Sequence, residues 1–131
     1  RLIAFGEEPA NELMMRCKML VTDYSSVCWD VFYLDKPVVF FQFDREKYEE
    51  AHGSYLDMSK ELFGECADNV DGLLTYMEEC AADHFVIKPQ YDAMRTNFYT
   101  YFDDQNSRRI CDAIVEKWGK KKEEEKADEQ E

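Results

Sequence analysis

The chain has 131 residues, 45% hydrophobic and 15% aromatic, which is enough for one domain with a buried core. The formal net charge is −13, and most of it belongs to residues 1–118, because residues 119–131 combine four Lys with six acidic residues. This acidity serves solubility and argues against nucleic acid or an anionic membrane surface as a partner of the chain itself, so a phosphate ligand would need a local site.

The apolar stretches are too short to span a bilayer. The chain begins at Arg1 without a methionine, and we therefore expect it to be a piece of a longer protein. Its five cysteines form no C-x-x-C pair, and with His52 and His84 they fit no metal-ligand spacing. We predict reduced core thiols in a cytosolic protein, without a metal or another cofactor.

The first part of the chain alternates short apolar runs with helical patterns. We predict, in order, a strand ending at Gly6, a helix opening near Pro9, a strand over 19–23, a helix over 25–35 and a strand over 36–43. The last of these strands is apolar on both faces, as in a parallel sheet covered on both sides.

The predicted helix over 25–35 places three apolar residues on one face, Val27, Val31 and Leu34. Ser25 or Ser26 is its candidate N-cap.

The second part is more helical. Residues 44–64 are polar and contain two glycines, which predicts a long loop or a loop with one helical turn. A short strand over 65–67 follows, and Asp68 and Asn69 suit the cap of a helix over 70–82. We expect two more helices, over 89–102 and over 107–119, with Gly119 as the stop of the second.

This alternation predicts an α/β fold with a Rossmann-like parallel sheet and right-handed crossovers. In such sheets ligands bind beyond the carboxyl ends of the strands, which is where the segment "TDYSS" over 22–26 falls. Ser25 and Ser26, with the N–H groups of the following helix, are a candidate phosphate cradle that needs no lysine. Asp23 could instead meet a ribose hydroxyl, orient a donor or cap the turn, and the two serines could be plain helix caps.

A second candidate lies after the next strand, where Asp44, Tyr48, Gly53 and Tyr55 fall at the same sheet edge. The alternative is an ordinary polar surface loop. His52 is a possible acid or base, or a solvated loop histidine.

A third candidate is the segment "DDQNSRR". Asp104 and Asn106 suit a turn, Ser107 suits an N-cap, and Arg108 and Arg109 could offer a cation to phosphate. Capping and surface ion pairs are the alternative. The aromatic run over 91–102 predicts packing, either across the sheet or against a neighbouring domain.

Taken in order, these segments resemble the C-terminal half of the CDP-glycerol glycerophosphotransferases, the bacterial enzymes of teichoic-acid synthesis. The resemblance covers roughly residues 10 to 118 and is carried by an ordered series of motifs. They are T-D-Y-S-S at 22–26, the helical Asp30, L-D-K-P at 34–37, Asp44 with Tyr48, G-S-Y-L-D at 53–57 and the segment 104–109.

The resemblance implies a glycosyltransferase type B (GT-B) architecture, of which this chain is the C-terminal portion. Residues 1–118 would be part of the Rossmann-like donor domain. Residues 119–131, which contain no apolar residue apart from Ala127, are expected to form a charged, disordered tail or a solvated helical extension. The implied reaction transfers glycerol phosphate from CDP-glycerol, or another CDP-polyol, to a growing polyol-phosphate chain and releases CMP. The implied partners include the N-terminal domain of the same protein, and the whole enzyme would lie in the cytoplasm, peripheral on the inner face of the bacterial membrane.

The resemblance also implies residue roles. The family's histidines, in W-H-G and R-x-H-P motifs, lie outside this chain, so we expect no catalytic residue in it and no activity of the chain alone. The implied donor and phosphate-binding residues are Thr22, Asp23, Ser25, Ser26, Asp44, Tyr48, Tyr55, Asp104, Ser107 and Arg109.

Three positions depart from the family pattern: His52 replaces an arginine, Phe63 a proline and Gln105 a glycine. The first change removes a cation that could meet phosphate, and CDP-ribitol or another nucleotide-activated polyol or sugar stays open as the donor. A non-catalytic α/β binding or protein-interaction module, with the aromatic helix as its partner face, is the alternative function.

Overall fold

A computed structural model of the chain describes residues 3–4, 6–53, 57–58 and 60–128, with side chains up to residue 119. The chain divides into two compact units, Arg1–Tyr99 and Thr100–Glu131, which we call the first and the second unit. The elements are α1 (Ala10–Arg16), β1 (Leu20–Thr22), α2 (Val27–Tyr33), β2 (Val38–Phe41), α3 (Arg45–His52), β3 (Glu65–Ala67), α4 (Val70–Ala82), α5 (Pro89–Phe98) and α6 (Asn106–Asp128).

The three described strands form one parallel sheet in the order β1-β2-β3. Thr22 pairs with Phe40, and Phe40 pairs with Cys66, so the strands end at one edge. A helix connects each consecutive pair of strands, because parallel neighbours need a crossover. The predicted α/β fold with a parallel sheet is confirmed.

The core of the first unit lies where α2 packs on β2. Phe32 of α2 is buried with Val38 and Phe40 of β2, and the ring of Phe32 stacks on that of Phe63 with centroids 4.3 Å apart. The buried face of α2 is Cys28, Val31 and Phe32, whereas Val27 and Leu34 are only half-buried. Of the three apolar residues on the predicted face only Val31 is fully buried, because in this short helix the i, i+3, i+4 set starting at Cys28 faces the sheet.

The predicted strand ending at Gly6 is not found at the residues that can be described there, Ile3, Ala4 and Gly6. They form a turn, in which the N–H of Ala4 donates to the Glu7 carboxylate at 2.8 Å and the N–H of Glu7 donates to the Ala4 carbonyl at 3.0 Å. These bonds occupy groups that a strand would give to a neighbour.

The segment predicted as a long loop, or a loop with one helical turn, contains the eight-residue helix α3. None of its residues is buried, so its sequence lacks the apolar periodicity that would predict a helix. It ends at Gly53, whose φ of 71° suits a residue without a Cβ. The confirmed caps are simpler cases: Asn69 accepts the N–H of Gly72 at 2.9 Å, and Pro89 opens α5.

Helix α5 is shorter than predicted, because Tyr99 turns to extended backbone with φ −121° and ψ 122°. In that conformation its hydroxyl donates to the carbonyl of Trp29 at 2.6 Å. Tyr91, Phe98 and Tyr99 pack against the core of the first unit, which confirms packing as the role of this part of the aromatic run.

The second unit contains α6, which begins at Asn106 and runs past Gly119 to Asp128. Both predicted ends were wrong: Ser107 lies inside the first turn, and the Lys and Glu residues that follow Gly119 have high helix propensity. Tyr101 and Phe102 are each 49% exposed. No helix in the described ranges is both long enough and apolar enough to pass through a membrane.

Candidate functional site

A cleft of about 380 Å³ opens at the carboxyl ends of β1 and β2. It combines hydroxyl, carboxylate and amide groups with an apolar floor. Its described lining residues are Asp23, Tyr24, Ser25, Ser26, Cys28, Trp29, Phe40, Gln42, Tyr48, His52, Gly53, Met58 and Leu62.

The two serines of the cleft stand at the start of α2. The Ser25 hydroxyl accepts the N–H of Val27 at 3.4 Å, although Ser26 holds the N-cap position and makes no side-chain cap bond. The N–H groups of Cys28 and Trp29 donate to the carbonyls of Ser25 and Ser26. The first N–H groups of α2 thus have their partners in the two serines just before the helix, and what the serines present to the cleft is chiefly their hydroxyl groups.

Asp23 closes the turn between β1 and α2. Its carboxylate accepts the N–H of Tyr24 at 2.6 Å, and its backbone carbonyl accepts the side-chain amide of Gln42 at 3.2 Å. These bonds favour a turn-ordering role among those considered for Asp23. Thr22 ends β1 and does not line this cleft.

Three rings are stacked along one side of the cleft. The centroids of Tyr24 and Tyr48 are 3.6 Å apart with nearly parallel planes, and those of Tyr48 and His52 are 4.8 Å apart. The Tyr24 hydroxyl donates to the Asp44 carboxylate at 3.0 Å. Burial raises the pKa of Tyr24, and the hydrogen bond to Asp44 raises it further, so the phenol stays protonated. The 22–26 turn is thus joined to α3 by a ring stack and one hydrogen bond.

The structure brings several of the predicted residues together. Asp23, Ser25, Ser26 and Tyr48 line one cleft, and Asp44 contacts it through Tyr24. The predicted Tyr55 lies outside the described residues. His52 also lines the cleft; its side chain is exposed.

The remaining predicted residues, Asp104, Ser107 and Arg109, belong to the second unit. The guanidinium of Arg109 pairs with both carboxylate oxygens of Asp103, and its Nη1 donates to Asn106 at 2.9 Å. It also lies 3.7 Å from the centre of the Tyr101 ring. The fork that could bind phosphate is therefore already engaged, which agrees with the ion-pair alternative.

Two residues of the cleft were missed by the sequence reasoning, Tyr24 and Gln42. Tyr24 lies within the T-D-Y-S-S motif, and its part in the cleft depends on its contacts with Asp44, at the start of α3, and with Tyr48 on that helix. Gln42 directly follows the buried strand β2. A polar residue at the carboxyl end of a buried strand is a sequence signal for a place at the binding edge of the sheet. Within the described ranges, no three or more His, Cys, Asp or Glu side chains are grouped to hold a metal ion.

Residues 2–116 match the model of the family described as CDP-glycerol:poly(glycerophosphate) glycerophosphotransferase. A teichoic acid glycerol-phosphate transferase of Staphylococcus aureus is 36% identical over 112 residues, which cover 82% of this chain and 28% of the relative. A teichoic acid poly(ribitol-phosphate) polymerase of Bacillus spizizenii is 31% identical over 105 residues, covering 80% of this chain and 16% of the relative.

The chain spans less than a third of the length of either relative. The part of the chain that the family model matches, residues 2–116, includes the residues that line the cleft and the ends of the parallel strands. With the family model covering nearly all of the described residues, the chain belongs to the CDP-glycerol:poly(glycerophosphate) glycerophosphotransferase family.

Proposed function

We propose that this chain supplies the donor-binding part of an enzyme that transfers glycerol phosphate from CDP-glycerol to a teichoic-acid or related polyol-phosphate chain, with release of CMP. The observation that carries the proposal is the cleft at the carboxyl ends of β1 and β2, with the hydroxyl groups of Ser25 and Ser26 at its edge. Parallel α/β sheets bind nucleotides at this position. Its volume of about 380 Å³ falls within the range of small-ligand pockets.

In this proposal Ser25 and Ser26 donate hydrogen bonds to the donor's phosphate oxygens. Asp23 keeps the turn in shape, while Tyr24, Tyr48 and Asp44 form one wall. The involvement of Thr22, Tyr55, Asp104, Ser107 and Arg109 stays a prediction from the resemblance.

The whole enzyme would have a GT-B architecture, with an N-terminal domain and catalytic histidines outside this chain, and would act at the inner face of the bacterial membrane. The chain alone would then bind donor without turning it over. Release of CMP from CDP-glycerol by the 131-residue chain, in the presence of a polyol-phosphate acceptor, would contradict this.

Titration of the ¹⁵N-labelled chain with CDP-glycerol tests the donor site. We expect chemical-shift changes centred on residues 22–28, and a loss of affinity of about tenfold or more when both serines become alanine, because two hydroxyl donors disappear. Thr75→Ala is the matched control, since it removes an exposed hydroxyl on α4 that bonds only to the Asp71 carbonyl among the described residues. Unchanged binding by the double variant would overturn the serine assignment.

A parallel titration with CDP-ribitol addresses the polyol. The relatives are named for glycerol phosphate in one case and ribitol phosphate in the other. We expect tighter binding of CDP-glycerol; preference for CDP-ribitol would move the proposal to the ribitol-phosphate branch of the family.

A further inference from the structure

Gln42 is the one buried polar or charged side chain among the residues whose burial is described, with 4% of its surface exposed. Its backbone continues the sheet beyond β2, because its N–H donates to the Ala67 carbonyl at 2.8 Å. Its side chain lies under the cleft at the point where β1 gives way to the 22–26 turn. A buried amide requires hydrogen-bond partners, because an unpaired polar group in the interior costs free energy of folding.

The amide of Gln42 bridges two neighbouring parts of the fold. Nε2 donates to the Asp23 carbonyl at 3.2 Å and, more weakly, to the Met58 sulfur at 3.7 Å, and Oε1 accepts from the Cys66 thiol of β3 at 3.5 Å. Burial raises the pKa of the Cys66 thiol, which keeps it protonated and able to donate. Gln42 therefore connects the end of β3 to the turn across the end of β2.

The bond to Asp23 is directed at the backbone of the turn. The Asp23 carbonyl and the Tyr24 N–H belong to one planar peptide group, and this N–H donates to the Asp23 carboxylate, so the peptide is held on both sides. The peptide leads directly to Ser25 and Ser26, so the Gln42 amide limits where their hydroxyl groups can stand. Pre-ordered donors bind a ligand more tightly, because less conformational entropy is lost on binding.

We propose that Gln42 is a positioning residue of the donor cleft, which holds the Asp23 carbonyl and thereby presents the serines of the 22–26 turn to a nucleotide-diphosphate polyol. The proposal rests on the proposed function for its ligand. Gln42 acts in it through the turn rather than by touching the reacting atoms.

The test uses Gln42→Met in the 131-residue chain, because methionine keeps the length of the side chain and removes the donor to Asp23. Gln42→Asn is a second variant that keeps a neutral amide but is one methylene too short to reach Asp23, and it preserves the test if the first variant fails to fold. Cys66→Ala is the matched control, since it removes the hydrogen bond that Oε1 accepts and leaves the Nε2 bonds to Asp23 and Met58 in place. The readouts are the dissociation constant of CDP-glycerol, the hydrogen exchange of the amides of residues 23–27 and the urea midpoint of unfolding.

We expect Gln42→Met to weaken CDP-glycerol binding about tenfold and to speed amide exchange in residues 23–27, with the urea midpoint near that of the wild type. Asp23 is exposed, so water can take the place of the lost donor and the fold should survive. Cys66→Ala should bind donor within about twofold of the wild type.

Wild-type donor affinity and wild-type amide exchange in a folded Gln42→Met chain would overturn the proposal, and so would a uniform loss of stability without a local effect on the turn. A wild-type chain that does not bind CDP-glycerol would contradict the proposed function. In that case the exchange of residues 23–27 still decides whether Gln42 holds the turn.

Discussion

Gly64 lies directly against Val38, so closely that a Cβ atom placed on Gly64 would stand 2.0 Å from the Val38 carbonyl oxygen. The same atom would lie 3.3 Å from the ring of Phe40. The segment that leads into β3 therefore meets β2 backbone to backbone. A carbonyl in a strand cannot move aside as a flexible side chain can.

We expect Gly64→Ala to lower the free energy of unfolding by about 3 kcal/mol or more, because the clash falls on sheet backbone. Urea denaturation of the purified chain measures it. Gly72→Ala is the control: its Cβ would make ordinary contacts, 3.5 Å from Asn69 and 3.7 Å from Ala67. In helix α4 that change should stabilise by up to about 1 kcal/mol. Equal effects of the two substitutions would show that the close approach is absent.

Lys36 closes the end of α1. Its ammonium donates to the carbonyls of Met14 and Met15 at 2.6 and 2.7 Å, where the last carbonyls of the helix lack partners within it and the helix dipole is negative. We expect Lys36→Met to cost about 1–2 kcal/mol of unfolding free energy. Lys47→Met, on the exposed side of α3, should change it by less than about 0.5 kcal/mol. Similar losses at both lysines would point to a general charge effect instead.

The pKa of the Tyr99 hydroxyl is raised because the side chain is half-buried against the core of the first unit. Burial, followed by the nearby Cys28 and Asp30, raises its pKa to about 12 from an ordinary value of 10.0. The folded chain thus holds this proton more tightly than the unfolded chain. Its contribution to stability is complete below pH 10 and is lost as the pH rises towards 12.

Tyr99→Phe removes both the titration and the hydrogen bond to the Trp29 carbonyl. At neutral pH we expect a loss of about 1 kcal/mol, and above pH 10 a shallower fall of stability than in the wild type. Urea midpoints measured between pH 7 and pH 12 test both parts. Tyr101→Phe, at a half-exposed ring of the second unit, should leave the neutral-pH midpoint of the first unit unchanged. An unaltered alkaline slope in Tyr99→Phe would contradict the assignment.

Asp103 and Arg109 form the main ion pair of the turn before α6. The Arg109 hydrogen bond, with help from the N–H of Gln105, lowers the pKa of Asp103 to about 2 from 3.8. The stabilising effect is present above the ordinary pKa of the carboxyl and is lost as the pH falls towards 2.

Arg109→Leu should raise the pKa of Asp103 towards 3.8 without fully restoring it, because the Gln105 bond remains. Carboxyl ¹³C shifts followed against pH measure this directly. Arg108→Leu is the neighbouring control, since Arg108 pairs with Asp112 at 3.7 Å. A shift of the same size in the Arg108 variant would show that the overall charge, and not the Arg109 ion pair, lowers the pKa of Asp103.

The parallel sheet could be predicted because its strands are short apolar runs separated by helical patterns. The runs before Asp23 and Gln42 are recognisable in the sequence, and their ends must meet in a parallel sheet. The placement of Ser25 and Ser26 beside a cleft followed from that rule alone. Helix α3 could not be predicted in the same way, because no side chain on it is buried and its apolar contacts are stacked rings.

The ring stack and the Gln42 bridge depend on three-dimensional register. Tyr24 meets Tyr48 only because α3 returns over the end of β1, and Gln42 reaches Asp23 only because Thr22 pairs with Phe40. Tyr99 illustrates a second limit. The aromatic spacing continues a helical pattern beyond Phe98, and a hydrogen bond to Trp29 outweighs it.

The two tryptophans of the chain fall in different units. Trp29 packs against Phe63 and Phe98, with ring centroids 4.5 and 4.9 Å away, whereas Trp118 on α6 is 59% exposed. We therefore expect their fluorescence to differ in emission wavelength and in accessibility to a quencher. A Trp118→Phe chain would emit from the first unit alone, so the protein carries its own optical label for following the melting of one unit separately from the other.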